Sequence, residues 1–130
     1  MDEVLLRQVR DIFAAHPEVK LAYFFGSRSK GEGGPISDYD FAFFAGTKDK
    51  KAVFDLKLLL QSNLSRALQT DNVDVVALNL AKSPELKYSI IADGVLIYEE
   101  EPYRVLIEPR IMNEYFDLCE HRLRHHFAEA

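Results

Sequence analysis

FFGSRSKGEGGPISDYDFAFF, residues 24–44, joins two apolar segments through glycine, serine and charge. Asp38 and Asp40 stand at the start of the second segment, where a buried strand favours Val or Ile. Side chains two apart on a strand project from one face. The two carboxylates therefore point together and Tyr39 points away. Roughly 5 Å apart, such a pair repels by about 3 kcal/mol at an effective dielectric near 20. Left alone, one of the two takes up a proton. A hard divalent cation removes the conflict, and Mg²⁺ suits oxygen ligands shared between carboxylates and substrate phosphates.

Working outward, the segment before the glycine reads as a strand over Val19–Phe25, and the one after it as a strand over Asp38–Ala45. Both are apolar on both faces, as in the middle of a sheet. The short link between them predicts antiparallel pairing. Val73–Leu78, VDVVAL, reads as a third strand and carries Asp74. If it lies beside the second strand, three carboxylates meet in one place and can hold two metal ions for in-line displacement at phosphorus. Val4, Leu5, Val9, Ile12 and Phe13 recur at helical spacing over Glu3–Ala15, before Pro17. A second amphipathic helix covers Lys51–Leu68. A short one covers Pro84–Ala92, with Ser83 as its N-cap and Gly94 as its end. Val95–Tyr98 reads as a fourth strand and Tyr103–Phe127 as a last helix. The class expected is α/β (α+β): a small mixed sheet with helices packed on one side, in a single domain over residues 1–130.

Composition narrows the function. The chain has 130 residues, 48% of them hydrophobic, with a formal net charge of −5. A length of that order forms one domain with a real core. The negative balance disfavours direct nucleic-acid binding, which rests on Lys and Arg. It leaves room for an anionic ligand held through metal. One cysteine, Cys119, excludes an internal disulfide and a cysteine metal cage. No apolar run is long enough for a membrane span, and the acidic start at Asp2 and Glu3 does not read as a signal peptide. A soluble, cytoplasmic protein is expected.

Gly26 and Ser27 end the first strand. Glycine lets backbone approach a phosphate closely, and successive N–H groups in such a turn form an anion nest. Arg28 and Lys30 add positive charge nearby, or are ordinary exposed loop charges. The common phosphate motifs fail here. Gly31 follows Gly26 at P-loop spacing, but Glu32 stands where the motif needs Lys. The glycines of the loop lead to Pro35 and a strand, not to the helix that a dinucleotide fingerprint requires.

The spacing that fits is Gly-Ser, ten residues, then Asp-x-Asp. With FGSRSKGEGG, SDYDFAFF, VDVVAL and IADGVLIYEE around it, the chain resembles the DNA polymerase β-like nucleotidyltransferases and, within them, the small MNT (minimal nucleotidyltransferase) proteins. The likeness runs from about Leu21 to Glu100. It implies a nucleotidyltransferase core in which Gly26 and Ser27 hold nucleotide phosphates, aided by Arg28 and Lys30. It implies that Asp38 and Asp40 bind two Mg²⁺, and that Asp74 shares one metal and helps activate the acceptor hydroxyl. MNT proteins are often antitoxins of HEPN-type RNase toxins. The likeness therefore implies transfer of AMP from ATP to a tyrosine of such a partner. Two other readings stay open: a small-molecule nucleotidyltransferase whose acceptor pocket is shared with another chain, and an antitoxin that acts by binding alone. Whether the protein forms a homo-oligomer or a hetero-oligomer with the toxin is left open too.

His121 and His125 stand four apart on the last helix, a spacing that can bind zinc, but no H-E-x-x-H motif surrounds them. They read as a solvated helix end whose cations complement the dipole. The same helix carries Ile107, Ile111, Tyr115 and Leu118 on one stripe, with Met112, Phe116, Cys119 and Leu123 beside it. That band either packs on the domain's own sheet or faces a partner.

Overall fold

Strands that are apolar at odd and even positions alike need cover on both faces. That requirement governs the architecture. The computed structural model describes residues 1–26 and 39–129. Four strands, β1 (Val19–Phe25), β2 (Tyr39–Ala45), β3 (Val73–Ala77) and β4 (Val95–Glu99), form one sheet in the order β3-β2-β1-β4. β1 pairs antiparallel with β2 and with β4, and β2 pairs parallel with β3. The sheet is mixed, as expected.

Even positions of β1 and odd positions of β2 and β3 point to one side. There Ala22, Phe24, Phe41, Phe43, Val73 and Val75 meet Val9 and Phe13 of α1 (Glu3–Ala14), and Val53, Leu56, Leu60 and Leu64 of α2 (Lys50–Leu68). Phe41 is central, with its ring 5.9 Å from Phe13 and 5.2 Å from Phe24. On the other side Leu21, Tyr23, Ala42 and Leu78 meet Ile90 of α3 (Pro84–Asp93) and Ile107 and Ile111 of α4 (Tyr103–Glu129). The one-sided helix layer expected from sequence is thus corrected: two helices cover each face. The cause is the two-faced apolar alternation of β1 and β2, because an uncovered second face would expose Leu21 and Tyr23 to water.

Local chemistry fixes the ends. Asp2, Asp49 and Ser83 cap α1, α2 and α3, their side chains accepting from the N–H of Leu5, of Lys51 and Ala52, and of Leu86. Such caps are worth about 1 kcal/mol each. Element bounds fall close to those read from the sequence, although Asp38, expected to open β2, lies outside the described residues. Pro109 sits inside α4, where it removes one helical N–H. Across the sheet, the Tyr23 hydroxyl donates to Glu108 Oε2 at 2.6 Å and ties β1 to α4. Among the described residues no buried side-chain polar atom lacks a partner.

Candidate active site

Parallel pairing of β2 with β3 brings two of the three expected aspartates together. Asp40 and Asp74 are register partners, each at the second position of its strand. Partners in a parallel ladder point to the same side, and neighbouring strands lie roughly 5 Å apart. Their sequence neighbours Phe41, Val73 and Val75 all face α1 and α2, so the two carboxylates project on the α3 and α4 side. They stand at the edge of that face, where Asp40 is half-buried and Asp74 exposed. Tyr39 points the other way, as expected. It packs against the α1–α2 core with its ring 6.2 Å from Phe24.

The register is pinned from several directions. The Tyr39 N–H donates to the Asn72 carbonyl at 2.9 Å, which starts the ladder one step before the aspartates. The Gln61 side chain of α2 donates to the Val73 carbonyl at 3.1 Å. A shift of one residue would turn Asp74 into the apolar core, so these bonds position the site. Sequence reading missed Gln61. The available signal was a polar residue set beside the apolar stripe of Leu56, Leu60 and Leu64.

Gly26 ends β1 directly against Asp40. Its φ is +85°, and a Cβ added there would lie 2.5 Å from Asp40 Oδ2. Phe25 pairs with Asp40 across the ladder, which sets this approach. Glycine is therefore required twice over, by the left-handed backbone and by the carboxylate above it. The sequence offers phosphate approach as the reason for Gly26, and the Asp40 carboxylate is a second. Ser27, Arg28, Lys30 and Asp38 lie outside the described residues. Among the described residues no group of three acidic, His or Cys side chains gathers to hold a metal.

What the described geometry offers is two hard oxygen donors on adjacent strands, on one face, half open to solvent. That donor set suits a hard cation bound with waters and substrate oxygens, not a closed cage. A concavity of about 720 Å³ lies elsewhere, lined by Gln61, Ser65, Gln69 and Asp71 at the end of α2. Neither Asp40 nor Asp74 lines it.

Residues 7–103 match the family model described as polymerase beta, nucleotidyltransferase. A mutant MntA–HpeT toxin–antitoxin, in which two aspartates two positions apart are replaced by glutamates, is similar at 25% identity. Its TM-score is 0.75, with 96% of this chain and 98% of that chain covered. A toxin–antitoxin structure with AMP-PNP is similar at 26% identity and a TM-score of 0.74, over 96% of this chain and 98% of that one. A Shewanella oneidensis tri-AMPylated HEPN toxin in complex with MNT antitoxin shares the fold, at 24% identity and a TM-score of 0.71 over the whole of both chains. No match was found among curated proteins.

Proposed function

The chain belongs to the polymerase β nucleotidyltransferase family, and from that premise we propose that it is an antitoxin that transfers AMP from ATP to a tyrosine of a partner HEPN RNase toxin. The observation that carries the reading is the register pairing of Asp40 with Asp74 beside Gly26. The partner and the nucleotide are supported by likeness to a toxin–antitoxin pair and to one holding an ATP analogue, each over nearly the whole chain. The whole of residues 1–130 is taken to act as one nucleotidyltransferase domain.

In this reaction the acceptor hydroxyl oxygen attacks the α-phosphorus. A phosphodiester bond forms, the bond to the bridging oxygen breaks, and pyrophosphate leaves with that electron pair. Asp74, the more exposed carboxylate, would take the proton of the incoming hydroxyl. Gly26 and Ser27 would hold the phosphates, with Arg28 and Lys30 adding charge. Asp38, Asp40 and Asp74 would hold two Mg²⁺, which when bound neutralise the carboxylates and the charge growing on the entering and leaving oxygens. Positioning and electrostatics supply most of what phosphoryl-type transfer asks of a protein.

The test combines the protein with the product of the adjacent reading frame, ATP and Mg²⁺, and weighs both chains by intact mass spectrometry. The partner is expected to gain mass in steps of one AMP. In Asp40→Ala with Asp74→Ala the rate should fall by at least about a hundredfold, the loss seen when a transition-state-stabilising group is removed. An unmodified partner that is still inhibited by the double variant would leave an antitoxin acting by binding alone. Transfer to a small molecule in place of the partner would give the antibiotic-type reading.

A further inference from the structure

A second concavity lies at the far end of β2, roughly 17 Å along the strand from Asp40 at about 3.4 Å per residue. Its volume is about 440 Å³. Phe44, Tyr103 and Leu106 make its apolar wall, and Lys48, Lys50 and Arg110 stand around it. Among the described residues no acidic side chain lines it. None of the three cations takes part in an ion pair among the described residues, where every other pairing found joins Lys20, Lys87, Arg104, Arg122 or Arg124 to a glutamate. In a chain of net charge −5, three unneutralised cations around one apolar hollow form a site complementary to negative charge. Leu106 is 51% exposed and Val105 beside it 71%, so the apolar surface continues from the hollow onto the first turns of α4.

We propose that this cleft docks an acidic segment of a partner protein. An apolar or aromatic side chain of that segment seats between Phe44, Tyr103 and Leu106, and its flanking carboxylates meet Lys48, Lys50 and Arg110. The surrounding hydrogen bonds favour a peptide over a nucleotide. A phosphate at a helix start needs free backbone N–H groups, yet those of Lys51 and Ala52 at the start of α2 are taken by the Asp49 side chain. The Asn79 amide is oriented by both backbone groups of Ala45, accepting at 2.8 Å and donating at 2.9 Å. The Thr47 hydroxyl accepts from the Asp49 N–H. Long cationic side chains beside an apolar wall are what a carboxylate-flanked hydrophobic anchor requires. The site stands apart from the carboxylate pair, and the inference does not depend on nucleotide transfer.

The experiment is an NMR titration of the ¹⁵N-labelled full chain with a synthetic peptide holding one phenylalanine between runs of glutamate. Controls are the same peptide with glutamine for glutamate, inorganic phosphate, and AMP. The expected result is shifts centred on Gly46–Lys50 and Tyr103–Arg110 with the glutamate peptide. Affinity should weaken at least tenfold in Lys48→Glu with Arg110→Glu, and weaken again as salt is raised. Both residues are exposed, and the variant's own spectrum reports whether it is folded. Failure of the glutamate peptide to shift these residues would overturn the proposal, as would equal binding of the glutamine peptide. Tighter binding of phosphate or AMP at the same residues would also overturn it, in favour of a small-anion site.

Discussion

Gly26 and Asp40 constrain each other at the atomic scale. The chain turns with a left-handed residue at Gly26 so that the Asp40 carboxylate can lie over a position with no Cβ. Gly26→Ala therefore carries a backbone penalty of about 1–2 kcal/mol and pushes Asp40 from its place beside Asp74. Transfer should drop at least about tenfold while the protein stays folded, measured by partner modification alongside a thermal melt; unchanged activity would show that Asp40 tolerates displacement. Tyr23 gives a prediction of the opposite kind, stability without chemistry. Burial first, and then its hydrogen bond to Glu108, raise its pKa above the ordinary value of 10.0. Above that pH the unfolded chain loses the phenolic proton while the folded chain keeps it. Stability is thus fully present below pH 10 and falls as pH rises beyond, by up to about 1.4 kcal/mol per pH unit for one proton. Tyr23→Phe should flatten that alkaline decline in denaturant melts, and should cost about 1.5 kcal/mol at neutral pH through the lost bond to a charged group.

At the scale of elements, α2 ends on a residue that resists its own conformation. Gln69 has a φ of 55° and its N–H donates to the Ser65 carbonyl. Its side chain is exposed, so nothing in the packing demands glutamine. Gln69→Gly should raise stability by roughly 0.5–1 kcal/mol, since glycine adopts this helix end without a Cβ conflict. A fall in melting temperature instead would mean that the Gln69 side chain contributes a contact that glycine loses. The strands and helices themselves were legible because period-2 and period-3.6 patterns survive in β1, β2, α1 and α2. The neighbours of β2 were only half legible. A short link predicts that β1 and β2 pair antiparallel, whereas no feature of the sequence alone places β3 on the other side of β2. The two-sided layer arrangement has its sign in β1, where Leu21 and Tyr23 alternate with Ala22 and Phe24 and each set needs a helix. Of the site, the Asp40–Asp74 pair could be anticipated from residue types. The Gln61 and Asn72 contacts that set its register could not, because each depends on which backbone carbonyl or N–H the tertiary fold brings within reach.

For the whole molecule, the open issue in the sequence was whether α4 belongs to the core or to a partner. The structure divides the helix. Ile107 and Ile111 are 7% and 6% exposed and complete the second core. Beyond them Phe116 and Leu123 are 52% and 56% exposed. Phe116 meets only the rings of Tyr88 and Tyr115, at centroid distances of 5.7 Å, among the described aromatic contacts. The near half of α4 therefore holds the sheet's second face, and the far half extends past it. A pair of identical replacements separates the two roles. Ile111→Asp places a carboxylate among Leu21, Tyr23 and Ile90, where an uncompensated charge costs about 3 kcal/mol or more, and should unfold much of the population or lower the melting point sharply. Phe116→Asp removes half-exposed ring surface and leaves the new charge in water, so it should cost no more than about 1 kcal/mol. Chemical denaturation of both variants in isolation decides the matter. If Phe116→Asp proves as damaging as Ile111→Asp, the far half of α4 is a structural part of this molecule, and the division drawn here fails.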